Sequence, residues 1–147
     1  MTGNFCVDKD EPTGKCGVLV HNNERALLAH LAAACKYNIE HLHNNKDALD
    51  KAKIIYGTSF LITSNREALI EVGKYASDNN IPFALNLSAV FLVQFELPTV
   101  LAALEHADYV FANEDEADAF AATQNIEGDD KRKKTAQCLA GWKKSNS

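Results

Sequence analysis

A chain of 147 residues, 46% hydrophobic and 24% charged, has the composition of a globular domain that buries its own core, which excludes a disordered segment or a stapled mini-protein. A net charge of −5 gives no general attraction to nucleic acid or to an anionic membrane, so a small molecule is the expected partner. No apolar run reaches membrane-spanning length, and the opening "MTGNFCVDKDEPTG" lacks a basic region followed by an apolar one, so the expected location is cytoplasmic, with the nucleus also open.

In chain order, Val18 to Val20 and Ala26 to Leu31 are apolar stretches around "HNNER". The Asn pair supplies the φ-tolerant residues of a hairpin, so 15–34 is predicted to be a β-ribbon. "DALDKAK" is predicted as a short helix and "IIYGTSF" as a buried strand. Ser64-x-x-Glu67 has capping-box spacing, with Ala68, Leu69, Val72, Tyr75 and Ala76 following at helical intervals. Phe83, Leu85 and Leu87 alternate with Ala84, Asn86 and Ser88 as in a second strand. Val90 to Glu96 follow, then a break at Pro98, a helix from Thr99 to about Glu105, and a third strand from Tyr109 to Ala112. The tail "DDKRKKTAQCLAGWKKSNS" reads as a helix capped near Asp129, its basic run a solvated face.

Four cysteines, Cys6, Cys16, Cys35 and Cys138, have no C-x-x-C pairing, so they read as reduced thiols rather than a zinc or redox site. His41 and His43 flank Leu42 with no further ligand pair at metal spacing and read as solvated.

Strands separated by helices imply parallel pairing, hence an α/β layer fold with the ribbon as an appendage. In such sheets ligands bind beyond the carboxyl ends of the strands. Those ends bring Phe60, Asn86, Ser88, Phe91, Asn113 and Glu116 to one place, where aromatics beside polar groups suit a flat polar ligand such as a nucleobase. Taken singly, Phe60 and Phe91 also fit a packed core. Asn113-x-x-Glu116 has the spacing of a helix N-cap and its N3 partner, and a helix N-terminus also favours phosphate, so spacing leaves both roles open.

"DEPTGKCGVLV" with "ERALLAHLAAA", then "FALNLSAVF", then "FANEDEADAF" resemble, in order, consecutive blocks of the adenosine kinases, a branch of the ribokinase-like carbohydrate and nucleoside kinase family. The resemblance implies an α/β fold: a ribokinase-like parallel sheet with helices on its faces plus a small β lid. Here 10–34 would be part of the lid ribbon and 35–147 a partial core. It implies transfer of the γ-phosphate of ATP to the 5′-hydroxyl of adenosine, a step of purine salvage, with Mg2+ as cofactor and ATP as co-substrate. Adenosine and ATP would be the partners, without nucleic acid or membrane, and the complete protein would be a monomer.

By the same resemblance Arg25 meets the transferring phosphate as the catalytic cation, and Leu27 and Ala29 close over the nucleoside. Phe60 and Phe91 sandwich the base; Asn86 and Ser88 are substrate-binding candidates from their place at the strand ends, not from the resemblance. Asn113 and Glu116 organise phosphate and magnesium, and Asn23 and Glu24 are further metal candidates. Lys15, His30 and "GTSF" depart from the family pattern, which has threonine, asparagine and a more apolar "IAGF". None of the seven glycines belongs to a Gly-Ala-Gly-Asp motif, which in the family carries the catalytic aspartate and anion hole. The family's amino-terminal Gly-Gly segment is missing too. The chain therefore resembles the middle of such an enzyme and is expected to be inert alone. A non-catalytic adenosine-binding or docking fragment, and another ribokinase-like sugar kinase, are the alternatives.

Overall fold

The computed structural model describes residues 3–22 and 24–145. Strands β1 (Lys15–His21) and β2 (Glu24–His30) form an antiparallel ribbon in which Val18 opposes Leu27 and Val20 opposes Arg25. Asn22 opens the connection with φ 46°, a left-handed conformation that Asn tolerates. Every residue of both strands is exposed. The ribbon is shorter than the predicted 15–34: it ends at His30, and Ala32–Lys36 coils into a 3₁₀ turn. The Ala33 N–H donates to the Pro12 carbonyl at 3.1 Å, which draws residues 32–36 off the strand path and toward the segment preceding β1. Gly14 permits this approach, because a Cβ there would lie 2.6 Å from the Leu31 carbonyl oxygen.

Helix α1 (Ile39–Asn44) was not legible in the sequence, since six mostly polar residues show no period. Its start is fixed by the Asn38 side chain, which accepts from the Glu40 N–H. Helix α2 (Lys46–Asp50) matches the predicted short helix, displaced toward the N-terminus.

Strands β3 (Ile55–Thr58), β4 (Phe83–Asn86) and β5 (Tyr109–Phe111) form a parallel sheet in the order β3-β4-β5. Each is shorter at its carboxyl end than its apolar run suggested. After β3 the chain enters a 3₁₀ turn, Ser59–Thr63, and after β4 it turns at Ser88, where φ is 69°.

Helix α3 (Arg66–Asp78) returns the chain from β3 to β4 and buries Ala68, Leu69, Gly73 and Ala76. Its cap is Asn65, whose side chain accepts from the Ala68 N–H at 3.0 Å. The predicted Ser64-x-x-Glu67 box is thus displaced by one residue, and the Ser64 hydroxyl instead donates to the Ala34 carbonyl. Helices α4 (Val90–Phe95) and α5 (Leu97–Leu104) are separated at Glu96 rather than at Pro98, which sits in the first turn of α5, where a missing N–H costs nothing. Helix α6 (Glu114–Thr123) follows β5 directly, and α7 (Lys131–Ser145) packs on α6. In place of Asp129, Asp130 supplies the first helical carbonyl of α7, accepting from the Lys134 N–H.

Leu69, Phe83, Leu85, Leu87, Leu92, Val93, Val100, Leu104 and Phe120 make one fully buried core between sheet and helices. Removing that area from water is the main force holding strand ends in register. Among the described residues no helix is long and apolar enough to cross a membrane.

Candidate functional site

The three strand ends are tied together by short polar side chains. Asn86 closes β4, and its carbonyl accepts from Ser59 Oγ at 2.8 Å and from Ser88 Oγ at 2.9 Å. Its side-chain oxygen accepts from the Ser88 N–H at 2.7 Å, while Nδ2 donates to the Tyr56 hydroxyl at 2.9 Å. Thr58 Oγ1 and Ser88 Oγ lie 2.7 Å apart, and the Ser59 N–H donates to Ser88 Oγ at 3.2 Å. This web holds Ser88 in a left-handed conformation that costs a non-glycine residue on the order of 1 kcal/mol or more.

At the end of β5, Asn113 and Glu116 form a complete capping box on α6. Asn113 Oδ1 accepts from the Glu116 N–H at 2.8 Å, and Glu116 Oε2 accepts from the Asn113 N–H at 3.1 Å. Glu116 is only 5% exposed.

These ends open into a cavity of about 480 Å³ lined by Arg25, Thr58, Phe60, Asn86, Ser88, Phe111, Ala112, Asn113 and Glu116. Six of the predicted site residues meet there: Arg25, Phe60, Asn86, Ser88, Asn113 and Glu116. Arg25 comes from the ribbon, so the lining carries a guanidinium facing a strand end that carries a carboxylate. A separate cavity of about 320 Å³ between β5 and α7 gathers none of the predicted residues.

The other predicted residues lie outside the lining. Leu27 and Ala29 share the ribbon face of Arg25 by strand alternation. Glu24 pairs with His21 on the opposite face, and Asn23 lies outside the described residues. Phe91, on α4, meets Phe60 as a tilted pair, with ring centroids 6.1 Å apart and planes at 60°. Phe60 lines the cavity, while Phe91 touches the Phe60 ring from outside that lining, and both rings are exposed. Thr58, Phe111 and Ala112 were missed in the sequence. The signal for Thr58 was present in "GTSF", where two hydroxyls stand at a strand's end.

A parallel α/β layer with its cavity beyond the strand ends, and an antiparallel ribbon that brings Arg25 to that cavity, make up a ribokinase-like fold. Residues 3–145 match the pfkB family carbohydrate kinase model, and the chain belongs to that family. It is 40% identical over 129 residues to adenosine kinase 1 of Arabidopsis thaliana, covering 86% of this chain and 38% of that protein. It superposes on Anopheles gambiae adenosine kinase, solved in complex with P1,P4-di(adenosine-5) tetraphosphate, with a TM-score of 0.84 and 34% identity over 91% of this chain and 40% of that one. Against Schistosoma mansoni adenosine kinase, solved in complex with adenosine in an occluded loop conformation, the TM-score is 0.83 at 30% identity, over 91% and 39% of the two chains. The chain thus spans about two fifths of the length of these relatives.

Proposed function

We propose that the chain is the nucleoside- and phosphate-facing part of an adenosine kinase, which moves the γ-phosphate of ATP to the 5′-hydroxyl of adenosine and yields AMP. The observation that carries this reading is the gathering of Arg25, Phe60, Asn86, Ser88, Asn113 and Glu116 around one cavity at the strand ends. The kinases at 30–40% identity support the choice of adenosine over a simple sugar. In this reading a base stacks on Phe60, which supplies a flat apolar face. Arg25 offers its guanidinium fork to the transferring phosphate, whose charge spreads over equatorial oxygens. Leu27 and Ala29, on the face of Arg25, close over the nucleoside with the ribbon and exclude water.

Among the described residues no group of three or more His, Cys, Asp or Glu side chains could hold a metal ion. One carboxylate beside one amide, Glu116 and Asn113, nevertheless fits magnesium, which keeps several waters and takes few protein ligands when phosphate supplies the rest. When bound, magnesium would neutralise phosphate charge. Glu116 Oε2 serves the cap, so Oε1 is the oxygen that would accept from the ion's water.

The test is a ¹H–¹⁵N NMR titration of the 147-residue chain with adenosine, then with ATP and magnesium. Adenosine is expected to shift the amides of Phe60, Asn86 and Ser88 saturably, and magnesium ATP those of Arg25 and Asn113. Shifts confined to other parts of the chain, or none at millimolar nucleoside, would overturn the reading.

A further inference from the structure

The turns that carry Phe60 and Phe91 leave neighbouring strands, β3 and β4, and a run of hydroxyls joins them. The Phe60 N–H donates to Thr58 Oγ1 at 3.4 Å, and Thr58 Oγ1 lies 2.7 Å from Ser88 Oγ. Ser88 has one hydroxyl proton, which goes to the Asn86 carbonyl at 2.9 Å. Thr58 is therefore the donor to Ser88, and the bonds run one way, from the backbone of Phe60 to the last carbonyl of β4. Bonds aligned head to tail strengthen one another. Ser59, fully buried and next to Phe60 in the chain, spans the same gap twice. Its N–H donates to Ser88 Oγ at 3.2 Å and its hydroxyl to the Asn86 carbonyl at 2.8 Å.

On the β4 side, the Ala89 N–H donates to the Leu87 carbonyl at 2.8 Å across Ser88, whose φ is 69°. A three-residue turn of this hand is rare and strained, and it persists only when its surroundings hold it. Here the holders are residues 58 and 59. The turn opens directly onto α4, with Phe91 in its first turn, so the direction in which α4 leaves sets the contact between the Phe91 and Phe60 rings. Thr58 and Ser59 belong to "GTSF", where the family pattern "IAGF" has alanine and glycine, two residues without a side-chain oxygen. These bonds are an addition to that pattern.

We propose that Ser59, together with Thr58, is a positioning residue that locks the two ring-bearing turns to each other, so that a base meets Phe60 already set in place. This rests on the reading of the cavity as a nucleoside site. Ser59 lies outside the cavity lining and acts through the turns it joins. Rings fixed beforehand spare a ligand the cost of ordering them.

The experiment compares the 147-residue chain as wild type, Ser59→Ala and the double variant Thr58→Ala with Ser59→Gly, which carries the residues of the family pattern. Without ligand, the nuclear Overhauser contact between the Phe60 and Phe91 rings is expected to be strong in wild type, weaker in Ser59→Ala and lost in the double variant. Adenosine affinity, from NMR titration, should fall about threefold in Ser59→Ala and about tenfold in the double variant, as one and then further hydrogen bonds are removed. Affinity for ATP with magnesium should stay within about twofold, since the Asn113 and Glu116 box takes no bond from the web. A merely structural role would lower the urea midpoint and leave the adenosine affinity of the folded chain alone. Ring contact or adenosine affinity unchanged in both variants would overturn the proposal, as would equal weakening of adenosine and ATP, which marks general loosening. Silence of the wild type toward adenosine would overturn the functional reading and the purpose of the lock with it, while the ring contact, read without ligand, separately decides whether the lock exists.

Discussion

Asn113 and Glu116 cap α6, and a pair of substitutions separates that task from the phosphate and magnesium role proposed for them. Asn113→Ala removes the acceptor for the Glu116 N–H and should lower stability by about 1 kcal/mol, read from urea unfolding followed by circular dichroism. Glu116→Gln keeps a side-chain oxygen for the Asn113 N–H and should leave the unfolding midpoint nearly unchanged. Its loss of charge should instead weaken magnesium-dependent ATP binding, measured by calorimetry with and without the ion; equal ATP affinity in the two proteins would reduce Glu116 to a cap. The aromatic pair separates as well. Phe60→Ala should weaken adenosine binding by roughly 1–3 kcal/mol, the worth of a stacked base. Phe91→Ala should weaken it less, since Phe91 meets the Phe60 ring from outside the cavity lining; the reverse order in an NMR titration would make Phe91 the main stacking face. The capping spacing was legible because it is local, three residues along one helix. The Thr58 to Ser88 contact was not, because it joins residues thirty apart in sequence and exists only once the β3-β4 register is set.

Among the elements, long apolar periods were read well and ends were not. Leu69, Phe83 and Leu85 declare their helix and strands because burial sorts every second or every third-to-fourth residue. Ends are decided by one hydrogen bond, and Ser64 and Asn65 are equally able to cap. Contact between Ser64 and the Ala34 carbonyl settles the choice, and no local pattern reports a partner thirty residues away. The start of α3 carries a further test. Arg66 grips Glu96 at the junction of α4 and α5 through two parallel hydrogen bonds, with Nε to Oε2 at 2.8 Å. The side-chain hydrogen bond from Arg66 holds the Glu96 carboxyl below its ordinary value. A depressed carboxylate contributes stability above its unfolded value and loses it as pH falls through the folded one. Glu96→Gln should therefore be slightly less stable than wild type at pH 7, Arg66 being exposed and Glu96 only partly buried. The difference should vanish as pH falls below roughly 4.3, the unfolded glutamate value, and through the lower folded one. Urea midpoints across that range check it, and a gap that persists at pH 2 would assign the effect to packing.

At the scale of the whole molecule, the ribbon and the layered sheet meet the cavity through different chemistry, and that division bears on activity. Arg25 brings positive charge from the ribbon, while Asn113 and Glu116 bring a cap and a carboxylate from the end of β5. Phosphoryl transfer also needs a group that takes the proton of the attacking hydroxyl, and that base must sit within hydrogen-bond reach of it. Glu116 is the only carboxylate among the residues lining the cavity, and it is nearly buried in its capping box. Glu114 and Asp115 lie on the first turn of α6 but outside that lining. The sequence contains no Gly-Ala-Gly-Asp stretch to supply an aspartate at another helix start. Without the base the rate should fall by about 10²–10⁴, and by a comparable factor again without anion-hole donors. The 147-residue chain, incubated with adenosine, ATP and magnesium, is therefore expected to form AMP only at background level by chromatography. A chimera in which residues 3–145 replace the matching stretch of a full-length adenosine kinase should form it readily, because positioning and charge are what the proposed function assigns to this part. Robust AMP formation by the chain itself, abolished in Arg25→Ala so that a contaminating kinase is excluded, would show that a base has been found among these residues.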